Sequence, residues 1–265
     1  MLLQLALPFI FTMIIHAADS LSYALRLGGL RTKRITIALS LSGMLLLVSR
    51  TSNMAQGPLL GSMVDKANGV DSSMLQTQLH LILGAAAVGT VIAILMFPTI
   101  VRWSSRLVVH LEKSGSIPGM LASLCSMNKM KNALHYISWP RFSMLQTCFG
   151  GNLPRRLMVL NMSVTAIYTV GVLATLYAAY LNPEQAMAAS QSSGLINGMA
   201  TILLTLLIDP RIALLSDRSL RGEIRLEQMN RVYGCMLMSR LAGTLLAQLL
   251  LVPFALWISL VVGWI

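Results

Sequence analysis

Long apolar runs follow one another along the chain, separated by shorter polar stretches in which the basic residues collect. A run of about 18 residues or more can cross a hydrocarbon core about 30 Å thick. By that rule the pattern predicts membrane-spanning helices over Leu2 to Arg26, Ile35 to Met63, Leu79 to Trp103, Leu157 to Leu181, Gly194 to Leu215 and Leu241 to Trp264. No stretch alternates with period two, so strands do not compete. The expected fold is all-α: a polytopic membrane protein of about six transmembrane helices forming one domain over residues 1–265. Gly57 with Gly61, and Gly194 with Gly198, have the small-xxx-small spacing that lets membrane helices approach closely. Pro58, Pro98 and Pro253 are expected near span ends, where a broken backbone hydrogen bond is tolerated. The N-terminal run has no preceding positive residue and its helical pattern continues past Asp19 to Leu27, which reads as a retained helix rather than a cleaved signal.

Orientation follows from charge. All but two of the 20 Lys and Arg residues fall in the first, third and fifth connections; the exceptions are Lys66, between the second and third runs, and Arg50, inside the second. The positive-inside rule then puts both termini outside. The third connection, 104–156, is long enough to hold an element of its own. Ser116 and Pro118 can open a helix, Pro140 closes it, and Met120, Leu124, Met127, Met130, Leu134 and Ile137 make an apolar face. Lys129, Lys131 and Trp139 suit an amphipathic helix on the inner leaflet, and packing against the bundle from below is the competing reading.

Composition agrees: 55% of residues are hydrophobic and 11% charged, against about 25% charged in a soluble domain. A soluble enzyme is excluded. The net charge of +11 would suggest nucleic acid in a soluble protein. Placed between apolar runs it points instead to anionic membrane lipids and to no nucleic-acid partner. Cys125, Cys148 and Cys235 form no CxxC pair and lie in stretches placed on the inner side, where they are expected to stay reduced.

Motifs for catalysis are scarce. There is no GxxxxGK[ST] loop to cradle ATP phosphates, and the four histidines are scattered, so neither a metal nor a cofactor is expected. What stands out is polarity inside the first two runs. His16, Asp19, Ser20, Tyr23 and Arg26 recur every three or four residues and share a helix face, and Ser49, Arg50, Asn53, Gln56 and Gly57 crowd another. Ionisable groups at membrane depth cost at least ~2.5–3.5 kcal/mol, so they face a protein interior or a wet cavity. Two readings stay open: a structural Asp19–Arg50 ion pair, and a polar cavity through which a charged group travels. At 1.5 Å per residue, Arg50 lies about 22 Å above the start of its run and Asp19 about 10 Å above the end of its own. That offset disfavours the simple pair and leaves Arg50 free for an anion. The fifth connection adds Asp209 and Asp217 among arginines. They read either as metal-binding acids of a polyprenyl-phosphate enzyme or as part of a solvated, salt-bridged helix between Ser216 and Val232.

The block Ser22-Tyr-Ala-Leu-Arg-Leu-Gly-Gly-Leu-Arg-Thr-Lys-Arg34, with Leu47-Val-Ser-Arg-Thr-Ser-Asn53, Pro58-Leu-Leu-Gly61 and Gly243-Thr-Leu-Leu-Ala-Gln-Leu-Leu-Leu-Val-Pro253, resembles the Amj family of bacterial lipid II flippases, alternates to MurJ. The resemblance implies transport, without a cofactor, of an undecaprenyl-diphosphate-linked disaccharide-pentapeptide from the inner to the outer leaflet of the bacterial cell membrane. The residues fit that cargo. A diphosphate needs a cation in a wet groove, sugars need polar lining, and the lipid tail can stay outside. Arg50, Asn53, Gln56, His16, Asp19 and Arg26 are the expected substrate-binding residues. A six-span chain is small for a bulky headgroup, so a homodimer is the expected assembly. The rival readings are an ion- or proton-coupled small-solute transporter and the polyprenyl-phosphate enzyme.

Overall fold

The computed structural model describes residues 2–67, 72–115, 138–140 and 154–264. Its elements are α1 (Leu2–Arg31), α2 (Ile35–Ala67), α3 (Ser72–Ser114), α4 (Arg155–Leu181), a 3-10 turn (Pro183–Gln185), α5 (Ala186–Leu203), a π-helical turn (Leu204–Ile208), α6 (Asp209–Leu220) and α7 (Leu226–Val262). The chain is an all-α polytopic membrane protein: among the described residues six helical stretches are long and apolar enough to span, the fifth running unbroken from Pro183 to Leu220 through the π turn. The spans are longer than their apolar runs. α1 continues to Arg31, α3 to Ser114, and α7 begins at Leu226, because polar residues at a membrane surface extend a helix as readily as they end it. Pro58, Pro98 and Pro253 accordingly fall inside helices rather than at their ends. The amphipathic helix expected in the third connection, together with Cys125 and Cys148, lies outside the described residues; Cys235 is buried in α7.

Turn chemistry sets the boundaries. At the end of α1 the Arg34 and Lys33 amides donate to the Gly29 and Leu30 carbonyls, a Schellman closure that requires a left-handed residue. That residue is Lys33, with φ 57°. The same closure recurs after α6, with the Glu223 and Gly222 amides on the Arg218 and Ser219 carbonyls, and here Gly222 (φ 81°) occupies the left-handed position. Gly222 thus divides the single solvated helix expected between Ser216 and Val232. The expected salt bridging is present around it: Arg221 pairs with Asp217 at 3.2 Å and with Glu223 at 3.0 Å.

The helices form two triads. In one, α1 packs along α2 and α3; in the other, α4 packs along α5 and α7; the contact between triads is sparser and falls chiefly between α3 and α7. Each triad is drawn tight by glycine. A β-carbon at Gly89 of α3 would lie 2.2 Å from the Met13 carbonyl oxygen of α1, and one at Gly243 of α7 would lie 2.5 Å from the Met162 carbonyl oxygen of α4. The glycines expected to do this do not. Gly57, Gly61, Gly194 and Gly198 have nothing within 4 Å of an added β-carbon, since they lie on the outer faces of α2 and α5, the helices that flank the bundle.

Two apolar clusters tie the triads together at different depths. Towards the end that carries the basic connections, Leu27, Leu30, Phe97 and Val101 pack with Leu157, Met229, Tyr233 and Met236. Towards the opposite end, Leu60, Leu75, Leu79 and Leu83 pack with Val170, Leu173, Ala247 and Leu251. Between these clusters lies a layer to which α1, α2, α4 and α7 bring polar side chains, among them Asp19, Arg50, Tyr168 and Arg240, while α3 brings the small buried residues Ala86, Gly89 and Ala93.

Candidate functional site

The polar layer sits at mid-depth, because its residues are central in their helices: His16 in α1, Arg50 in α2 and Tyr168 in α4. It holds two small cavities that meet at Tyr168. Asp19, Arg50, Thr165, Tyr168, Thr201 and Arg240 line one, and Thr12, His16, Asn53, Gln56, Tyr168 and Thr169 line the other. The first lies between α2 and α5, which make no packed interface with each other. It is a groove entered from the side of the bundle, with α1, α4 and α7 at its back.

Arg50 reaches into this groove from an exposed position. Its Nη1 donates to the Tyr168 hydroxyl at 3.4 Å, and its Cζ lies 5.6 Å from the Tyr168 ring centroid. Among the described residues no carboxylate is ion-paired with it. Asp19 lines the same groove but pairs with Arg240 at 3.3 Å. The Asp19–Arg50 pair considered from sequence is therefore not formed. The offset in height that argued against it is also smaller than it looked. With α1 extended to Arg31, Asp19 stands about 18 Å above the end of its helix, within a turn of Arg50. The obstacle is not distance but a better partner.

That partner was missed. Arg240 was assigned to the fifth connection with the other inner-side arginines, whereas it lies well inside α7 with its side chain 7% exposed. Its Nε also donates to the Ser20 hydroxyl at 3.3 Å, and its Cζ sits 5.9 Å from the Tyr23 ring centroid. Arg50 is thus not the one basic residue at membrane depth. A signal existed: Cys235 to Gln248 is apolar on both sides of Ser239-Arg240, so the sixth run begins before the arginine rather than after it.

The other expected residues divide. Arg26 is two turns nearer the basic end and makes a tight structural contact, Nη1 to Asp209 Oδ1 at 2.8 Å, with its Nε donating to Ser42 at 3.3 Å. This joins α1, α2 and α6. Gln56 is buried and donates to the Thr12 hydroxyl and to the Pro8 carbonyl, which fixes α2 against α1 while the side chain lines the second cavity. His16 is 3% exposed, stands edge-on to Tyr168 with ring centroids 6.4 Å apart, and has no hydrogen-bond partner for Nδ1. Asn53 is half-buried beside it. Asp209 and Asp217, the acids read as metal ligands, are bound to Arg26 and Arg221, and no His, Cys, Asp and Glu gather in threes among the described residues.

Polar contacts mark where the triads meet. Besides Asp19–Arg240 and Arg26–Asp209, the Tyr23 hydroxyl donates to Asn161 Oδ1 at 3.3 Å. At the opposite end His80 and Gln248 bond reciprocally, ring Nδ1 to Oε1 at 2.8 Å and Nε2 to the His80 carbonyl at 3.1 Å.

The sequence matches the family model described as "Amj: Alternate to MurJ" over residues 11–262. It is 38% identical over 262 residues to "Lipid II flippase Amj" of Bacillus subtilis (strain 168), covering 98% of this chain and 97% of that one. No solved structure matches.

Proposed function

This chain belongs to the Amj family, Alternate to MurJ, and on that premise we propose that it is a lipid II flippase of the cell membrane. In this reading it carries the undecaprenyl-diphosphate-linked disaccharide-pentapeptide from the inner to the outer leaflet. It transports and does not catalyse. The observation that supports this best is the side groove at mid-depth with Arg50 at its mouth, a guanidinium that pairs with no carboxylate among the described residues.

A phosphate in that groove meets a planar fork with five donors, able to hold two oxygens at once. Asn53, one turn along α2, offers an amide to the sugars, and His16 and Gln56 line the adjoining cavity. Arg26 acts from the inner side by holding α6 in place. Because α2 and α5 leave the groove open laterally, the polyprenyl tail need never enter the bundle. The basic connections gather anionic headgroups, lipid II among them, at the inner surface. Weak burial of the outer faces of α2 and α5 fits a homodimer.

The deciding experiment is complementation: expression in a bacterium depleted of its own lipid II flippase should restore growth and cell shape. Failure to complement, with the protein present in the membrane, would remove the proposal. Solute uptake in proteoliposomes lacking any lipid substrate would favour the small-solute transporter instead.

A further inference from the structure

We propose that Arg240 is a second phosphate ligand and that Asp19 is its resident competitor, holding the guanidinium between cycles and yielding it to a diphosphate seated on Arg50. The inference deepens the flippase reading and rests on it.

Both guanidiniums line one groove, and the carboxylate of Asp19 lines it with them. The Asp19–Arg240 contact is single and long, Nη2 to Oδ2 at 3.3 Å, where a charge-assisted N–H···O bond normally closes to about 2.7–2.9 Å. The Arg26–Asp209 pair, at 2.8 Å, shows what this chain builds when a pair is purely structural. Arg240 is fixed by other means as well, through Ser20 and the face of Tyr23. It therefore stays in place when Asp19 lets go.

Charge gives the contact a purpose. Two guanidiniums and one carboxylate give the groove an excess of one positive charge, and a diphosphate diester brings two negative charges. One phosphate group settles on Arg50. The other reaches Arg240 only by displacing or sharing the bond to Asp19, which remains alongside and repels it. A carrier has to bind its cargo well enough to load and weakly enough to release, and a fixed carboxylate beside the phosphate sets that balance. It also sets specificity. A monophosphate is satisfied by Arg50 alone and gains nothing from Arg240.

The test uses the full-length protein in nanodiscs, with binding of undecaprenyl diphosphate and undecaprenyl phosphate read by native mass spectrometry, and flipping of lipid II in proteoliposomes. Wild type should prefer the diphosphate lipid about tenfold. Asp19→Asn should tighten the diphosphate lipid about tenfold, leave the monophosphate lipid nearly unchanged, and slow flipping because release is slowed. Asp19→Glu should restore wild-type behaviour. The double variant Asp19→Asn with Arg240→Gln removes both charges together, spares the fold an unpaired ion, and should lose the preference for diphosphate. If Asp19→Asn does not insert, the Glu and double variants carry the test.

A gain under threefold in Asp19→Asn, or a double variant that still prefers diphosphate, overturns the proposal while leaving the flippase reading intact. Wild type that binds neither lipid sinks both. Inorganic pyrophosphate that displaces the lipid at equal concentration would assign the site to a soluble anion and overturn the lipid assignment.

Discussion

Replacing Arg50 by alanine separates function from folding, because the structure gives the residue much to do for a ligand and little for the bundle. Its contacts within the protein are a 3.4 Å bond to the Tyr168 hydroxyl and the ring beneath it, 5.6 Å from the centroid. A bond that long is weak, and an exposed cation–π contact contributes about 0.5–1 kcal/mol. Arg50→Ala should therefore cost stability no more than about 1 kcal/mol. On the ligand side, a bidentate grip on phosphate makes two charge-assisted bonds at about 1.5 kcal/mol or more apiece. Their loss is about 3 kcal/mol, a factor of roughly a hundred in affinity at 1.4 kcal/mol per tenfold. Arg50→Lys keeps the charge as a point donor and should retain partial flipping, whereas Arg50→Glu should abolish it. The assay is flipping of fluorescent lipid II in proteoliposomes, followed by chemical quenching from outside, with the melting temperature taken on the same preparation. Flipping by Arg50→Ala within threefold of wild type would show that the diphosphate is met elsewhere. Loss of the variant from the membrane, or a destabilisation well beyond 1 kcal/mol, would make Arg50 a structural residue and refute the reasoning from the other side.

Three further outcomes are expected. Single-cysteine labelling in intact cells, on a background lacking the three native cysteines, should reach a position at Asn182 and miss positions at Lys33 and Arg221; equal labelling would mean two orientations. Gly243→Leu should destabilise by about 1–3 kcal/mol or more, because its β-carbon would lie 2.5 Å from a backbone oxygen of α4, while Gly57→Leu, with open space around it, should leave the melting temperature nearly unchanged. Lys33→Gly should raise thermal stability by about 0.5–1 kcal/mol, since the residue stands at φ 57°, where a β-carbon is penalised; a fall would show that the lysine side chain does more for the turn than its backbone loses.

Hydropathy alone made the six spans legible, and helical periodicity correctly gathered His16, Ser20 and Tyr23 on one buried face. Arg240 shows where that reasoning stops. Counting basic residues by connection swept it into a loop, and nothing local announces that its partner is Asp19, more than two hundred residues earlier in the chain. The glycines fail in the same way. Spacing marks Gly57, Gly61, Gly194 and Gly198 as a packing motif, but which face of a helix meets a neighbour is a property of the assembled bundle, and there Gly89 and Gly243 make the close approaches. The break at Gly222 was readable in principle, because a glycine after a basic last turn is a stop signal.

The two apolar clusters that bracket the polar layer also divide the membrane voltage. A potential falls mainly where the dielectric constant is low, so it drops across the Leu27–Tyr233 cluster and across the Leu60–Leu251 cluster, with the polar groove at an intermediate value. In the orientation expected from the positive-inside rule, with the basic end cytoplasmic, an anion moving outward gains about 2.3 kcal/mol per charge for each 100 mV it crosses. It collects part of that gain on reaching Arg50 and the rest on leaving. Each barrier is then a separate voltage-dependent step, and an outward-moving diphosphate is pulled twice by the same resting potential.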